Sequence, residues 1–483
     1  MSTGIQKQES FEIQHDQIKY SVVEDKLLIA GNEMKLFVPS LPEFSFDIQA
    51  AISDALELSA ESFTLNRLSD IVGQVLDAEI VCDGRRVTAL QMVLSKAPAG
   101  DEKTFVMKVH RGDVPLPTLQ ALINSRKAVG DIRNQIQNRS LISAEARNLI
   151  FEIQELFQAI KAKSDLLEQQ APKENLHDSK MYEIAVVEDM LNYLMTEMDP
   201  LCARIPVVVS KMNEQAVIEF EALMRKNVTS LVYGAPFVRR ALDKPLGYAG
   251  DFEMMTQVYK NEPMGATYFD KCVHLYCIRA PSGYAVRNRR EYLIRKMRAI
   301  CQRTPVDKPI KVFALASGPA SEISKFIETA PEFHGRPIEF TCIDQDLESL
   351  KYAQRQVRST ERTFNSGYSF KFIHQAIRNL IKNGCPENDY DLIYSAGMFD
   401  YLTDMSAKIS GKKLSEYLKP GGQLVIGNFS DTTPIAPFMD YVVDWKLIYR
   451  NPETLLKLYG DLGTNTVIES EPEGINLFAV ITK

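Results

Sequence analysis

The 483-residue sequence predicts an α/β chain, with a wound sheet over residues 310–483, a helical middle region and a small β-rich module at the start. Three observations carry this. Residues Val312-Phe313-Ala314-Leu315-Ala316-Ser317-Gly318-Pro319-Ala320-Ser321-Glu322-Ile323 read as a buried strand, a small-residue turn and a helix start, and a second strand, Phe340-Thr341-Cys342-Ile343-Asp344, ends in an acid. Leu149, Ile153, Leu156, Phe157 and Ile160 fall on one face of a helix. Up to about residue 113 the apolar residues alternate with polar ones, as in half-buried strands.

Residues 1–113 form the β-rich module. Glu79–Cys82, the Asp83-Gly84 turn and Arg85–Leu90 read as a hairpin, and Thr104–Val109 as a further strand. A small barrel or sandwich fits. The module is similar in outline to the PilZ domain, a cyclic-di-GMP receptor, but that receptor's R-x-x-x-R arm and D/N-x-S-x-x-G turn are not both placed here. The likeness is therefore to a degenerate form, which implies a docking or dimerisation role and leaves a homodimer open.

Residues 114–232 read as a helical bundle. The first apolar stripe breaks at Ala171-Pro172-Lys173-Glu174-Asn175, and Ile184, Val187, Leu191 and Leu194 begin another. Residues 233–309 read as a helical cap with a substrate loop, in which Asp251 is placed to cap the helix beginning at Phe252. Met254, Met255, Tyr268, Phe269 and Tyr276 suit either an ordinary core or an apolar tunnel for an acyl chain.

Composition bounds the function. A hydrophobic content of 45% supplies two or three buried cores, and a net charge of −7 with few basic clusters argues against nucleic acid as the main partner. The seven cysteines lack paired C-x-x-C spacing, so neither a metal site nor a disulfide framework is expected. No apolar run reaches the ~18 residues of a spanning helix and the first residues lack a signal-peptide pattern, so a soluble cytoplasmic protein is expected.

The turn at Ala316–Ala320 narrows the cofactor. It lacks the G-x-G-x-x-G of dinucleotide sites and the Lys-Ser/Thr of a phosphate loop. Gly318 still lets a ligand approach the backbone, and Asp344 can accept from ribose hydroxyls. A phosphate-free adenosyl cofactor, S-adenosyl-L-methionine, fits better than NAD or ATP. Downstream, Tyr390-Asp391-Leu392-Ile393-Tyr394-Ser395 is an apolar strand, Leu418-Lys419-Pro420-Gly421-Gly422 a turn, Gln423–Phe429 a strand and Ile475–Ile481 a last strand. With the acid at 344, the "FDLI"-like strand and the L-K-P-G-G turn, residues 310–483 resemble a Rossmann-like class I S-adenosylmethionine-dependent methyltransferase. Two departures stand out: Ala314 occupies the place of the usual first acid, and Gln375 that of the acid after the third strand.

A second signature is more specific. Lys244-Pro245-Leu246-Gly247-Tyr248-Ala249-Gly250-Asp251, the later Val286-Arg287-Asn288-Arg289 and the segment Asp444–Arg450 resemble the extracellular factor 3-hydroxypalmitic acid methyl ester biosynthesis proteins. That resemblance spans roughly residues 230–483 and implies carboxyl O-methylation of a 3-hydroxy fatty acid or similar small acid to a methyl ester signal. A carboxylate, with a pKa near ~4.3, is already ionised and needs no general base. The site expected from these residues has Ala316, Gly318, Glu322, Asp344, Gln375 and Ser395 on the cofactor. Arg287 or Arg289 holds its methionine tail, while Tyr248, Asp251, Phe399 and Tyr401 face the acyl substrate, with Tyr248 and the two arginines as the catalytic donors. A methyltransferase for another small molecule, or a binding or regulatory protein that keeps the fold without turnover, are the alternatives.

Overall fold

A computed structural model describes residues 22–23, 26–28, 34–39, 45–52, 55–59, 68–82, 85–97, 104–138, 141–385 and 387–483. The chain forms two compact units, Met1–Arg139 and Ser140–Lys483.

In the first unit six strands close on themselves: β1 (Met34–Phe37), β2 (Ser45–Ile52), β3 (Ala55–Ser59), β4 (Val75–Cys82), β5 (Arg85–Leu94) and β6 (Thr104–Arg111). They pair antiparallel around the ring β1-β2-β3-β6-β5-β4, and β4 returns to β1. Of the two forms the alternation allowed, the barrel is the one adopted. Closure leaves these six strands without an edge among themselves. The expected Asp83-Gly84 turn lies outside the described residues. Helix α1 (Leu116–Asn138) belongs to this unit, with Leu119 and Ile123 in the barrel's own apolar cluster. The unit boundary thus falls after Arg139 rather than near 113, because α1 has its apolar partners in the barrel.

The second unit begins with helices. α2 (Ala144–Gln169) and α3 (Leu176–Val209) are capped by Ser143 and Asn175, whose side chains accept from the backbone N–H groups of Ala146 and His177. Leu149, Ile153, Phe157 and Ile160 are buried as their spacing predicts, whereas Ile184 is exposed and only the rest of its stripe faces inward. α4 (Glu214–Met224), α5 (Pro236–Asp243), α6 (Phe252–Lys260) and α7 (Tyr268–Arg279) complete this layer. α8 (Pro281–Arg303) then leads into the sheet. Arg287 to Arg290 lie inside this helix, near its start.

Seven strands form the sheet: β7 (Ile310–Leu315), β8 (Ile338–Asp344), β9 (Ser369–His374), β10 (Tyr390–Ser395), β11 (Leu418–Phe429), β12 (Asn465–Ser470) and β13 (Asn476–Thr482). Their order is β9-β8-β7-β10-β11-β13-β12. The first five run parallel, and β13 pairs antiparallel to both β11 and β12. The order reverses between β7 and β10, which makes a switch point where wound sheets bind ligands beyond the strand ends. Alternate residues of β7 feed two cores. Val312 and Ala314 pack with α8, α9 (Ser321–Thr329) and α10 (Leu347–Phe364), while Phe313 and Leu315 pack with α11 (Ile377–Asn383), α12 (Asp404–Glu416) and α14 (Pro452–Tyr459). A short helix α13 (Ala436–Tyr441) joins the helical layer through Phe438 and Met439. No helix among the described residues is long and apolar enough to cross a membrane.

Candidate functional site

A cavity of about 940 Å³ opens at this switch point. Its walls come from the turn after β7, the ends of β8 and β10, the 246–250 loop, α6, α8 and α12.

The turn after β7 is built by backbone strain. Ala316 and Ala320 sit at φ 50° and 49°, a left-handed conformation that a methyl group disfavours, and Gly318 sits between them at φ 53°. No side chain caps the α9 helix that follows. A Cβ added at Gly318 would meet nothing within 4 Å, so the ligand face of the turn is open. Asp344 anchors this turn: its carboxylate accepts from the N–H of Gly318 at 2.9 Å, the N–H of Asp346 at 2.9 Å and the hydroxyl of Ser349 at 3.3 Å. Burial raises its pKa, and the two backbone donors oppose the rise. Three of about four acceptor sites are therefore occupied, leaving room for about one ribose hydroxyl rather than the two expected.

Arg289 is the second feature. It is 7% exposed, lines the cavity, bonds the carbonyl of Ala396 at 3.3 Å and the sulfur of Met255 at 3.0 Å, and interacts with the Tyr259 hydroxyl on the same wall. Its Nε is buried without a partner. Glu322 and Asp400 both feel its charge, yet neither forms an ion pair with it within 4.0 Å among the described residues. Glu322 is buried on the same wall, accepts from the Tyr394 hydroxyl at 2.8 Å, and has its pKa raised by burial. A buried cation and a buried anion that face one cavity without meeting match a ligand carrying both charges.

The 244–251 loop lies over the cavity on a polar latch. The Trp445 indole N–H donates to the Tyr401 hydroxyl at 2.8 Å, and that hydroxyl donates to the Ala249 carbonyl at 2.7 Å. Lys244, at φ 44°, pairs with Asp444 at 2.7 Å. Tyr248 lines the cavity edge-on to Tyr401, their centroids 6.3 Å apart. Burial first, and then the charges of Asp344, Asp346 and Asp251, push its pKa up, so it stays a protonated donor.

The expected site residues divide. Tyr248, Arg289, Ala316, Gly318, Glu322, Asp344 and Tyr401 line the one cavity; Arg287, Asp251, Gln375, Ser395 and Phe399 do not. Arg287 bonds the carbonyls of Ile278 at 2.7 Å and Val258 at 3.3 Å, tying three helices together. Asp251 caps α6 through the N–H groups of Glu253 and Met254 and is chelated by Arg240 at 2.8 Å, so its role is structural. Phe399 is wholly buried in the sheet's second core, and Ser395 is buried within β10. The backbone N–H of Gln375 donates to the Asp344 carbonyl at 3.0 Å, which fixes the strand end without bringing the amide side chain to the wall. Tyr268, Phe269 and Tyr276 pack in the helical core, the ordinary-core alternative of the two that these residues allowed.

Sequence reasoning missed the apolar limb of the cavity, made by Leu246, Met398, Leu402, Ile409, Trp445 and Leu447. Asp400, beside the expected Tyr401, lines the same wall. Among the described residues no cluster of His, Cys, Asp or Glu is suited to a metal ion.

No protein-family model matches the chain, and no curated protein does. Solved structures do match, distantly. A possible exported protein from Bordetella parapertussis is 16% identical with a TM-score of 0.38, over 71% of this chain and 96% of that one. A DszA carbon methyltransferase is 12% identical with a TM-score of 0.38, over 74% and 93%. The magnesium protoporphyrin IX methyltransferase of Synechocystis PCC 6803, solved with bound SAH, is 11% identical with a TM-score of 0.32, over 41% and 85%. Likenesses this distant carry no argument about reaction or substrate, which rest on the cavity alone.

Proposed function

We propose that this chain is an S-adenosyl-L-methionine-dependent methyltransferase whose reaction is carboxyl O-methylation of a 3-hydroxy fatty acid or similar small acid to its methyl ester. The carrying observation is the single cavity that holds Gly318 and Asp344 at one end and the unmatched Arg289 and Glu322 beside them. A nucleoside bearing a zwitterionic amino-acid tail satisfies all four, and the turn lacks both the glycine pattern of a dinucleotide site and the Lys-Ser/Thr of a phosphate loop.

When bound, S-adenosyl-L-methionine supplies an electrophilic methyl group on a sulfonium. The chain's part is binding, orientation and exclusion of water. Arg289 takes the carboxylate of the tail through its guanidinium fork, Glu322 takes the ammonium, and Asp344 takes a ribose hydroxyl. Tyr248, held neutral, donates from the loop. The limb from Leu246 to Leu447 accommodates an alkyl chain and dries the acceptor end. An ionised carboxylate acceptor needs no proton removed from it, and every tyrosine on these walls with a shifted pKa is shifted upward, away from a base.

The test is transfer from methyl-labelled S-adenosyl-L-methionine to a panel of hydroxylated fatty acids, with the product identified by mass spectrometry. A base-labile methyl ester is the expected product. Label transferred only to amines or alcohols, or none transferred by protein that binds the cofactor, would refute the carboxyl reading.

A further inference from the structure

Asp400 is 2% exposed and lines the cavity beside Tyr401, Phe429 and Leu447. Its position is fixed twice: its Oδ1 accepts from the Phe429 N–H at 2.7 Å, and its own carbonyl accepts from the Ile448 N–H at 2.7 Å. Its other carboxylate oxygen has no hydrogen-bond donor among the described residues. A buried carboxylate oxygen calls for one.

The neighbouring donors are committed elsewhere. The Tyr401 hydroxyl serves Ala249, and Arg450 is spent on Asp404 and on the carbonyl of Phe399. Arg289 forms no ion pair with Asp400 within 4.0 Å among the described residues and, on the reading above, is the partner of the cofactor's carboxylate. Cavity water, or the hydroxyl of a ligand that displaces it, supplies the missing donor. An ionised carboxylate cannot serve, because it has no proton to donate and adds a like charge.

Resting on the methyltransferase reading above, we infer that Asp400 accepts the hydroxyl of the acyl substrate and so makes the site select a hydroxylated acid over its deoxy or O-methylated analogue. The carboxyl group remains the methyl acceptor, and the hydroxyl is the handle that sets its position. Either analogue would leave a buried acceptor unpaired, the situation in which pockets discriminate most strongly.

Calorimetry on the full-length protein saturated with S-adenosylhomocysteine tests this, with a 3-hydroxy acid, its deoxy analogue and its 3-methoxy analogue of equal chain length. Wild type is expected to bind the hydroxy acid at least about 100-fold tighter than the methoxy acid. In Asp400→Asn the amide oxygen stays on the Phe429 N–H and the amide N–H turns to the cavity, where it donates to an ether oxygen. The hydroxy and methoxy affinities should then come within about tenfold of each other. Equal binding of all three acids by wild type, no binding of any, or an unchanged ratio in Asp400→Asn would each overturn the assignment. So would a methyl ether as the enzymatic product. Binding of S-adenosylhomocysteine by the variant shows that it folds; if it does not, the wild-type ratio decides alone. Absence of S-adenosylhomocysteine binding by wild type would bring down the methyltransferase reading itself, which is a separate outcome.

Discussion

Ala316 and Ala320 hold the turn above the sheet in a conformation that costs a methyl-bearing residue about 1–2 kcal/mol. Ala316 is half-buried, so Ala316→Gly should raise stability by up to about 1 kcal/mol after the added chain entropy is counted. Ala320 is fully buried, and the lost methyl, worth about 0.8 kcal/mol, should make Ala320→Gly nearly neutral. Denaturant midpoints check both, and a lower midpoint for Ala316→Gly would contradict the strain. Asp400 gives a pH signature. Burial pushes its pKa up to about 6 from 3.8, so the folded state holds a proton there that the unfolded chain has released. Stability from this group therefore falls as pH rises from about 4 to about 6 and is flat above, a cost of about 3 kcal/mol. Asp400→Asn should stabilise the protein near pH 7.5 and gain little near pH 4, and a gain independent of pH would contradict it. Residue choice was also where the sequence was least legible. Arg287 and Arg289 lie two apart on one helix, about 200° around its axis, so one meets carbonyls and the other the cavity. Nothing in V-R-N-R says which.

At the scale of elements, the 244–251 loop acts as a unit because its anchors converge. Gly250, at φ 80°, leaves no space for a side chain: an added Cβ would clash with the Tyr401 hydroxyl and lie 2.8 Å from the Trp445 ring. Gly250→Ala should displace the latch and raise the KM for the cofactor at least about tenfold. Wild-type kinetics in that variant would remove the loop from the site. Trp445 is the chain's single tryptophan and lines the cavity, so its fluorescence reports occupancy directly. The loop's glycines were readable as turn formers, as were the strand–turn–helix at 312–323 and the cap at Asp251. The partners were not, since Tyr401 and Trp445 are 152 and 195 residues beyond Ala249 and Gly250, and only the folded sheet brings them there.

For the molecule as a whole, each unit encloses its own apolar clusters. The barrel's cluster runs from Met34 to Ile123, and the three others begin at Ile142 or later. Residues 140–483 should therefore unfold cooperatively on their own and bind the cofactor with the full chain's affinity; loss of either would show that the barrel completes the second unit. Local periodicity carried the element types here, because each strand's burial is written in its own residues. It did not carry the allegiance of α1, whose apolar stripe fits a bundle as well as a barrel. Nor did it carry the closure of the barrel, which depends on pairing between β2, β3 and β6.

In the proposed function one cavity reads both the nucleoside and the amino-acid tail of S-adenosyl-L-methionine. Calorimetry of wild type and Arg289→Met against S-adenosyl-L-methionine and 5′-methylthioadenosine, which lacks the tail, addresses it most directly. The substitution should weaken the tailed ligand by about 100-fold, the worth of a charged hydrogen-bonded pair, and leave the tail-less ligand unchanged. Equal losses for both ligands, or no affinity of the wild type for S-adenosyl-L-methionine, would contradict it.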